Sequence, residues 1–139
     1  PKVFVRDTGL LAHLRGSSPD ALAAAPGLPG ALVEGFVLEE LRKHLAFSTR
    51  GLRLYHYRTQ AGAEVDFVLE SRAAERLTAI EVKASSTLGS TDFKGLRHLK
   101  ETEPAFARGV VLYAGRELVP FAPDLFAVPL SMWWAPVPG

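Results

Sequence analysis

From Ala31 onward the apolar residues change period in a set order, and that order limits the available folds more than any single motif. Between Ala31 and about Phe47 the period is helical, with Val37, Leu38, Leu41 and Leu45 on one stripe. Leu52–Arg58 and Ala63–Glu70 alternate, and Thr59-Gln60-Ala61-Gly62 between them turns the chain, which predicts a β-hairpin. Leu77–Ala84 predicts a third strand, apolar except for Glu81 and Lys83. Thr91 or Asp92 then caps a helix carrying Phe93, Leu96 and Leu99. Gly109–Ala114 has the continuous apolar character of a buried strand, and Leu125–Leu130 adds a last one before Trp133 and Trp134. The order is α-β-β-β-α-β followed by one extra strand, an α/β arrangement.

Ahead of this unit, residues 1–30 read as a lead-in to a domain spanning 31–139. Residues 2–6 predict a short strand, and Asp7 or Thr8 caps a short helix through Leu10, Leu11 and Leu14 that stops at Gly16. Residues 17–30 are a Pro- and Gly-rich connector in which the alanines at 21–25 permit one or two helical turns. A length of 139 residues makes one compact unit. The chain opens at Pro1 directly in a predicted strand, without an initiator methionine, so a longer polypeptide is expected. The net charge of +1 excludes a generally polybasic protein, and the absence of cysteine excludes disulfides, thiolate metal sites and a cysteine nucleophile. No apolar run approaches the roughly 20 residues that span a bilayer, so no membrane partner and a cytoplasmic location are expected.

Three acids occupy positions where the pattern would accept hydrophobes. Stepping about 100° per residue puts Glu34 within about 60° of Val37, Leu38, Leu41 and Leu45, along the stripe of the first long helix. Glu39 and Lys43 fall on its far side as an i,i+4 pair. On the second strand Val65, Phe67 and Leu69 are predicted to share one face, with Glu64, Asp66, Val68 and Glu70 opposite. On the third, Glu81 and Lys83 share a face, with Ile80, Val82 and Ala84 on the other. Each charge alone reads as an ordinary ion pair on a wet sheet face; together they mark a candidate site.

Two carboxylates on neighbouring strands can hold a hard cation such as Mg²⁺ or Mn²⁺, with water and a main-chain carbonyl, that of Val82, completing the shell. Such an ion polarises a phosphoryl oxygen and lowers the pKa of bound water. A lysine on the same face, Lys83, can orient that water or offset charge on a phosphate. The segments Gly62–Val68 and Ala79–Lys83 resemble the D…E-x-K signature of the PD-(D/E)xK nuclease-like superfamily, with Val65 where the superfamily's name has proline. The resemblance implies a restriction-endonuclease-like α-β-β-β-α-β core, a mixed central sheet flanked by helices, Asp66 and Glu81 as metal ligands, and Glu34 and Lys83 as further catalytic residues. The chain is more similar still to a domain at the C-terminus of bacterial and archaeal AAA-type ATPases, through Lys2–Leu11, Leu32–Val37 and Tyr57-Arg58-Thr59. That likeness runs to about residue 100 and implies an upstream ATPase domain in the same polypeptide.

Between Leu41 and Ala63 there is no acid, while Arg42, Lys43, Arg50, Arg53 and Arg58 are interleaved with Phe47, Tyr55 and Tyr57. The stretch can follow a DNA backbone and stack on bases, or it can be a solvated helix end and a charge-protected edge strand. Arg58 is the leading phosphate contact, with Arg53 and Lys43 behind it. No G-x-x-x-x-G-K-[ST] occurs in these 139 residues, and His13, His44, His56 and His98 lack zinc-ligand spacing. Two functions remain open: a Mg²⁺-dependent nuclease, or a non-catalytic module of the same fold.

Overall fold

The computed structural model describes residues 4–5, 7–25 and 27–134. Three helices come first: α1 (Thr8–Leu14), α2 (Pro19–Ala24) and α3 (Gly30–Phe47). Strands β1 (Leu52–Arg58), β2 (Glu64–Ser71) and β3 (Arg76–Lys83) follow. A 3₁₀ turn (Ser90–Phe93) leads into α4 (Lys94–Thr102), then β4 (Phe106–Tyr113), β5 (Val119–Ala122), β6 (Leu125–Pro129) and a second 3₁₀ turn (Leu130–Trp134). From α3 to β4 the order is the expected α-β-β-β-α-β.

The six strands form one mixed sheet in the order β1-β2-β3-β4-β6-β5. The β1–β2–β3 meander is antiparallel, β4 and β6 run parallel to β3, and β5 returns antiparallel at the edge. Strands in the middle of such a sheet are buried on both faces, which explains the apolar runs in β3 and β4. On one face Val33, Val37 and Leu41 of α3 pack against Phe67, Ile80, Val82 and Leu112. On the other, Phe93, Leu96 and Leu99 pack against Val65, Val68, Ala79 and Val111. Gly95 fixes how close that second layer sits: a Cβ there would run into the main-chain carbonyl oxygen of Glu64. The start of α4 therefore lies directly on the first residues of β2.

Several local expectations need correction. β5 was hidden by Pro120, a residue that the middle of a strand accepts at an edge or a bulge, and β5 is an edge strand whose pairing with β6 is irregular between Pro120 and Ala122. The predicted strand over 2–6 falls largely outside the described residues; Phe4 and Val5 are described and belong to no strand, Phe4 lying 5.9 Å ring to ring from Phe67. Residues 135–139 of the tail also lie outside them. Lys43 pairs with Glu40 at 2.6 Å, one turn back by three residues, and not with Glu39. Glu39 is half-buried because α1 packs on α3 over the side the pattern assigned to water. Asp92 does not cap α4 itself: it sits in the 3₁₀ turn and accepts the Gly89 N–H at 2.8 Å. Among the described residues no helix is long and apolar enough to cross a membrane.

Candidate functional site

The site lies where β2 and β3 part. Their antiparallel register runs from Ser71↔Arg76 to Phe67↔Ile80, and one further step would set Asp66 opposite Glu81. On the other side of β2, Tyr55 faces Val68 but Tyr57 faces Val65, so β2 spends three steps where β1 spends two. That is a bulge. It turns Val65 onto the α4 face beside Val68, while Phe67 stays on the α3 face. The expected common face of Val65, Phe67 and Leu69 is therefore broken at Asp66, the residue the bulge re-aims.

Asp66 is only 4% exposed. Its Oδ2 accepts the main-chain N–H of Val82 at 2.9 Å, supplying an acceptor for β3 beyond the end of the paired register. The Val82 group seen to engage the site is thus its amide. Glu81 and Lys83 share a face as expected, and their sequence parity with Ala79 places it on the α4 side. Lys83 Nζ donates to Glu81 Oε1 at 2.9 Å and lies 4.0 Å from Asp92 Oδ1. Glu81 Oε2 is buried and has no hydrogen-bond partner. Leaving a carboxylate oxygen so is costly, so its place in the site calls for a physical reason.

The electrostatics follow from this crowding. Burial, followed by the negative charge of Asp66, raises the Glu81 pKa above the ordinary glutamate value; the Lys83 hydrogen bond and charge, and last the main-chain N–H of Asp66 facing the carboxylate, pull against this and do not win. For Lys83 burial acts downward, but the Glu81 hydrogen bond and charge, with Asp92 and Asp66 behind them, outweigh it and leave the ammonium pKa raised. Three carboxylates, Glu81, Asp92 and Asp66, act on one lysine, so acidic groups outnumber basic ones there.

The other predicted residues are spread out. Glu34 stands half-buried at the margin of the α3 stripe, whose middle is Val33, Val37 and Leu41, rather than along it. Its helix covers the face opposite Lys83, so Glu34 belongs to the layer on the other side of the sheet. Arg58 is exposed at the Asp66 end of edge strand β1, its Nε 3.9 Å from Glu64 Oε2. Arg53 pairs across from Glu70 at the far end, five residues or about 17 Å away along the strand. Lys43 sits on α3 with Glu40. The structure gathers Asp66, Glu81 and Lys83; it does not gather the three basic residues into one patch.

Two site neighbours were not singled out from the sequence. His56, in the irregular stretch of β1 opposite the bulge, has Nδ1 3.2 Å from the Asp66 carbonyl oxygen and Nε2 3.6 Å from Glu64 Oε1. Asp92 was read only as a cap. Its signal was its place just before the apolar run Phe93, Leu96, Leu99, on the loop that leaves the Glu81–Lys83 strand.

Mg²⁺ requires only one or two protein carboxylates, the rest of its shell being water and phosphate oxygen. The unpartnered buried Oε2 of Glu81 beside Asp66 is oxygen chemistry of that kind, so these residues fit a hard cation. Among the described residues no group of three or more His, Cys, Asp or Glu is arranged to hold a metal.

The chain has relatives of known sequence. The "Uncharacterized protein Rv2008c" of Mycobacterium tuberculosis and the "Uncharacterized protein Mb2031c" of Mycobacterium bovis are each 37% identical to it over 130 residues, 93% of this chain and 27% of each relative. The chain thus spans about a quarter of the length of these relatives. The fold is similar to that of a chain in a solved structure described as "Refined half-complex from tetradecameric assembly of Thermococcus gammatolerans McrB AAA+ hexamers with bound McrC". Its TM-score is 0.50 at 13% identity, over 72% of this chain and 27% of that one, a likeness of fold. A family model described as "Domain of unknown function (DUF4143)" matches residues 29–133, from the start of α3 to the second 3₁₀ turn. That is well over half of the chain, which belongs to the DUF4143 family.

Proposed function

We propose that this domain is a Mg²⁺- or Mn²⁺-dependent nuclease of the PD-(D/E)xK type that acts on DNA phosphodiester bonds in the service of an ATPase. The observation that carries the reading is the buried, unpartnered Oε2 of Glu81 beside Asp66, with Lys83 bonded to the other oxygen of the same carboxylate. Asp66 and Glu81 would hold the cation, which when bound supplies Lewis-acid polarisation of a phosphoryl oxygen and a more acidic water. The Val82 amide fixes the Asp66 carboxylate, so one ligand is oriented before any cation arrives. Lys83, a third exposed, offers a positive charge to a phosphate or orients the attacking water. Glu34 would assist from the α3 side, and Arg58 would meet the phosphate backbone as it passes the edge of the sheet. Arg53 and Lys43 would contact DNA separately.

The ATPase association is supported by the resemblance of Lys2–Leu11 and Leu32–Val37 to the C-terminal domains of AAA-type ATPases. It is supported too by the fold shared with a chain from an assembly of AAA+ hexamers. The 73% of each relative that the chain does not cover leaves room for such a module. A second reading, a non-catalytic DNA-binding or interaction module of this fold, is favoured by the absence of a third metal-ligating side chain among the described residues. Calorimetric titration of Mn²⁺ into the domain and into Asp66→Asn separates them. The nuclease reading expects binding that the substitution removes; no binding to either favours the inert module.

A further inference from the structure

We propose that Asp92 is a positioning residue: the second anchor of Lys83, which keeps its Nζ at the site when Glu81 is drawn to another cation. The inference rests on the nuclease reading for its catalytic consequence, while the anchoring itself can be tested without it.

An ammonium has three N–H donors on a long flexible stem, and an unanchored lysine head turns to water. Glu81 Oε1 takes one donor at 2.9 Å, and Asp92 Oδ1 stands 4.0 Å from the same Nζ. The Asp92 carboxylate is not free to swing, because its Oδ2 accepts the Gly89 N–H at 2.8 Å. The next residue, Phe93, is wholly buried and stacks on Phe121 with ring centroids 4.0 Å apart. Main chain and core thus hold Oδ1 in place facing the lysine. Asp92 and Lys83 are sheltered to a similar degree, their side chains 27% and 33% exposed. A divalent ion shared by Asp66 and Glu81 would repel the ammonium bonded to Glu81. Asp92 supplies a fixed anion outside that pair, so the ammonium would be displaced by a short swing within the site and not lost to solvent.

The test follows the Lys83 ammonium by ¹⁵N–¹H NMR, where the side-chain signal persists only while the group is held against exchange. Without metal, Glu81→Ala is expected to retain the signal through Asp92, and Glu81→Ala/Asp92→Asn to lose it. With Mg²⁺, the otherwise unmutated domain is expected to retain it and Asp92→Asn to lose it. Asparagine keeps an oxygen for the Gly89 N–H, so the turn survives. Persistence of the signal in the double variant overturns the anchor. In cleavage assays Asp92→Asn is expected to lower kcat between about ten- and a hundredfold, with KM and Mn²⁺ affinity unchanged. A lowered melting temperature with unchanged kcat would reduce Asp92 to a structural cap and overturn its positioning role. If Mg²⁺ moves no resonance of the unmutated domain, the nuclease reading fails, and the metal-free comparison still decides the anchor.

Discussion

Glu81 is held in a folded state that disfavours its charge, and this sets the sign of its pH dependence. Its pKa is raised on folding, so its contribution to stability is fully present below the ordinary glutamate value of 4.5 and is lost as pH rises through the higher folded value. Glu81→Gln removes that loss. Its melting temperature is expected to exceed the parent's by a margin that opens above pH 4.5 and then levels off, read by thermal melts from pH 4 to 8. Lys83 also has a raised pKa, so the stability it lends is present below 10.5 and disappears only at more alkaline pH. Lys83→Ala is expected to cost about 1–3 kcal/mol, because it leaves Glu81 with Asp66 beside it and no counter-charge. It is also expected to reduce cleavage by about 10²–10³ while sparing the cation, since an ammonium is no metal ligand. A melt and a cleavage assay on the same variant check both. Lys83 and Glu81 were legible from strand parity alone. The placement of Asp66 was not, because a bulge is a property of two strands in register and leaves no mark in the sequence of one.

Helices and strands differ in how much of the site they fix. α4 reaches the site by close approach to β2 at Gly95, and a methyl there must push the helix off the Glu64 carbonyl. Gly95→Ala is expected to cost about 1–3 kcal/mol and to weaken cation binding together with stability, measured by denaturant melts and calorimetry on the one variant. α1 is the contrast. It buries no residue, and Asp7 caps it by accepting the Leu10 N–H at 2.8 Å. Asp7→Ala is expected to speed amide exchange across α1 by about tenfold while leaving exchange in β2 and β3 unchanged. The hairpin, α4 and the β3 strand were legible because period and turn chemistry act within one segment. β5 was not, since Pro120 argues against any strand until the sheet supplies an edge for it. The far side of α3 was misjudged for a similar reason: the cover provided by α1 is a tertiary contact.

Across the whole molecule, the mixed sheet places the parting of β2 and β3 between two helical layers, with α4 and Asp92 on one side and α3 and Glu34 on the other. The order of elements was enough to give this architecture, and the D…E-x-K spacing was enough to point at a crowded pair of carboxylates, Asp66 and Glu81. The basic stretch before Ala63 carried less: its charges spread over a helix and both ends of an edge strand. If DNA is the substrate, binding is expected to weaken steeply with salt and Arg58→Ala to weaken it more than Lys43→Ala, by salt-dependent anisotropy titrations. The central claim is that Asp66 and Glu81 make a metal-dependent nuclease, and cleavage of a supercoiled plasmid with Mn²⁺ tests it most directly, comparing the parent with Asp66→Asn, whose amide oxygen still serves the Val82 N–H. Nicked or linear DNA from the parent alone, abolished by chelator, is the predicted result; equal cleavage by both proteins, or none by either, contradicts it.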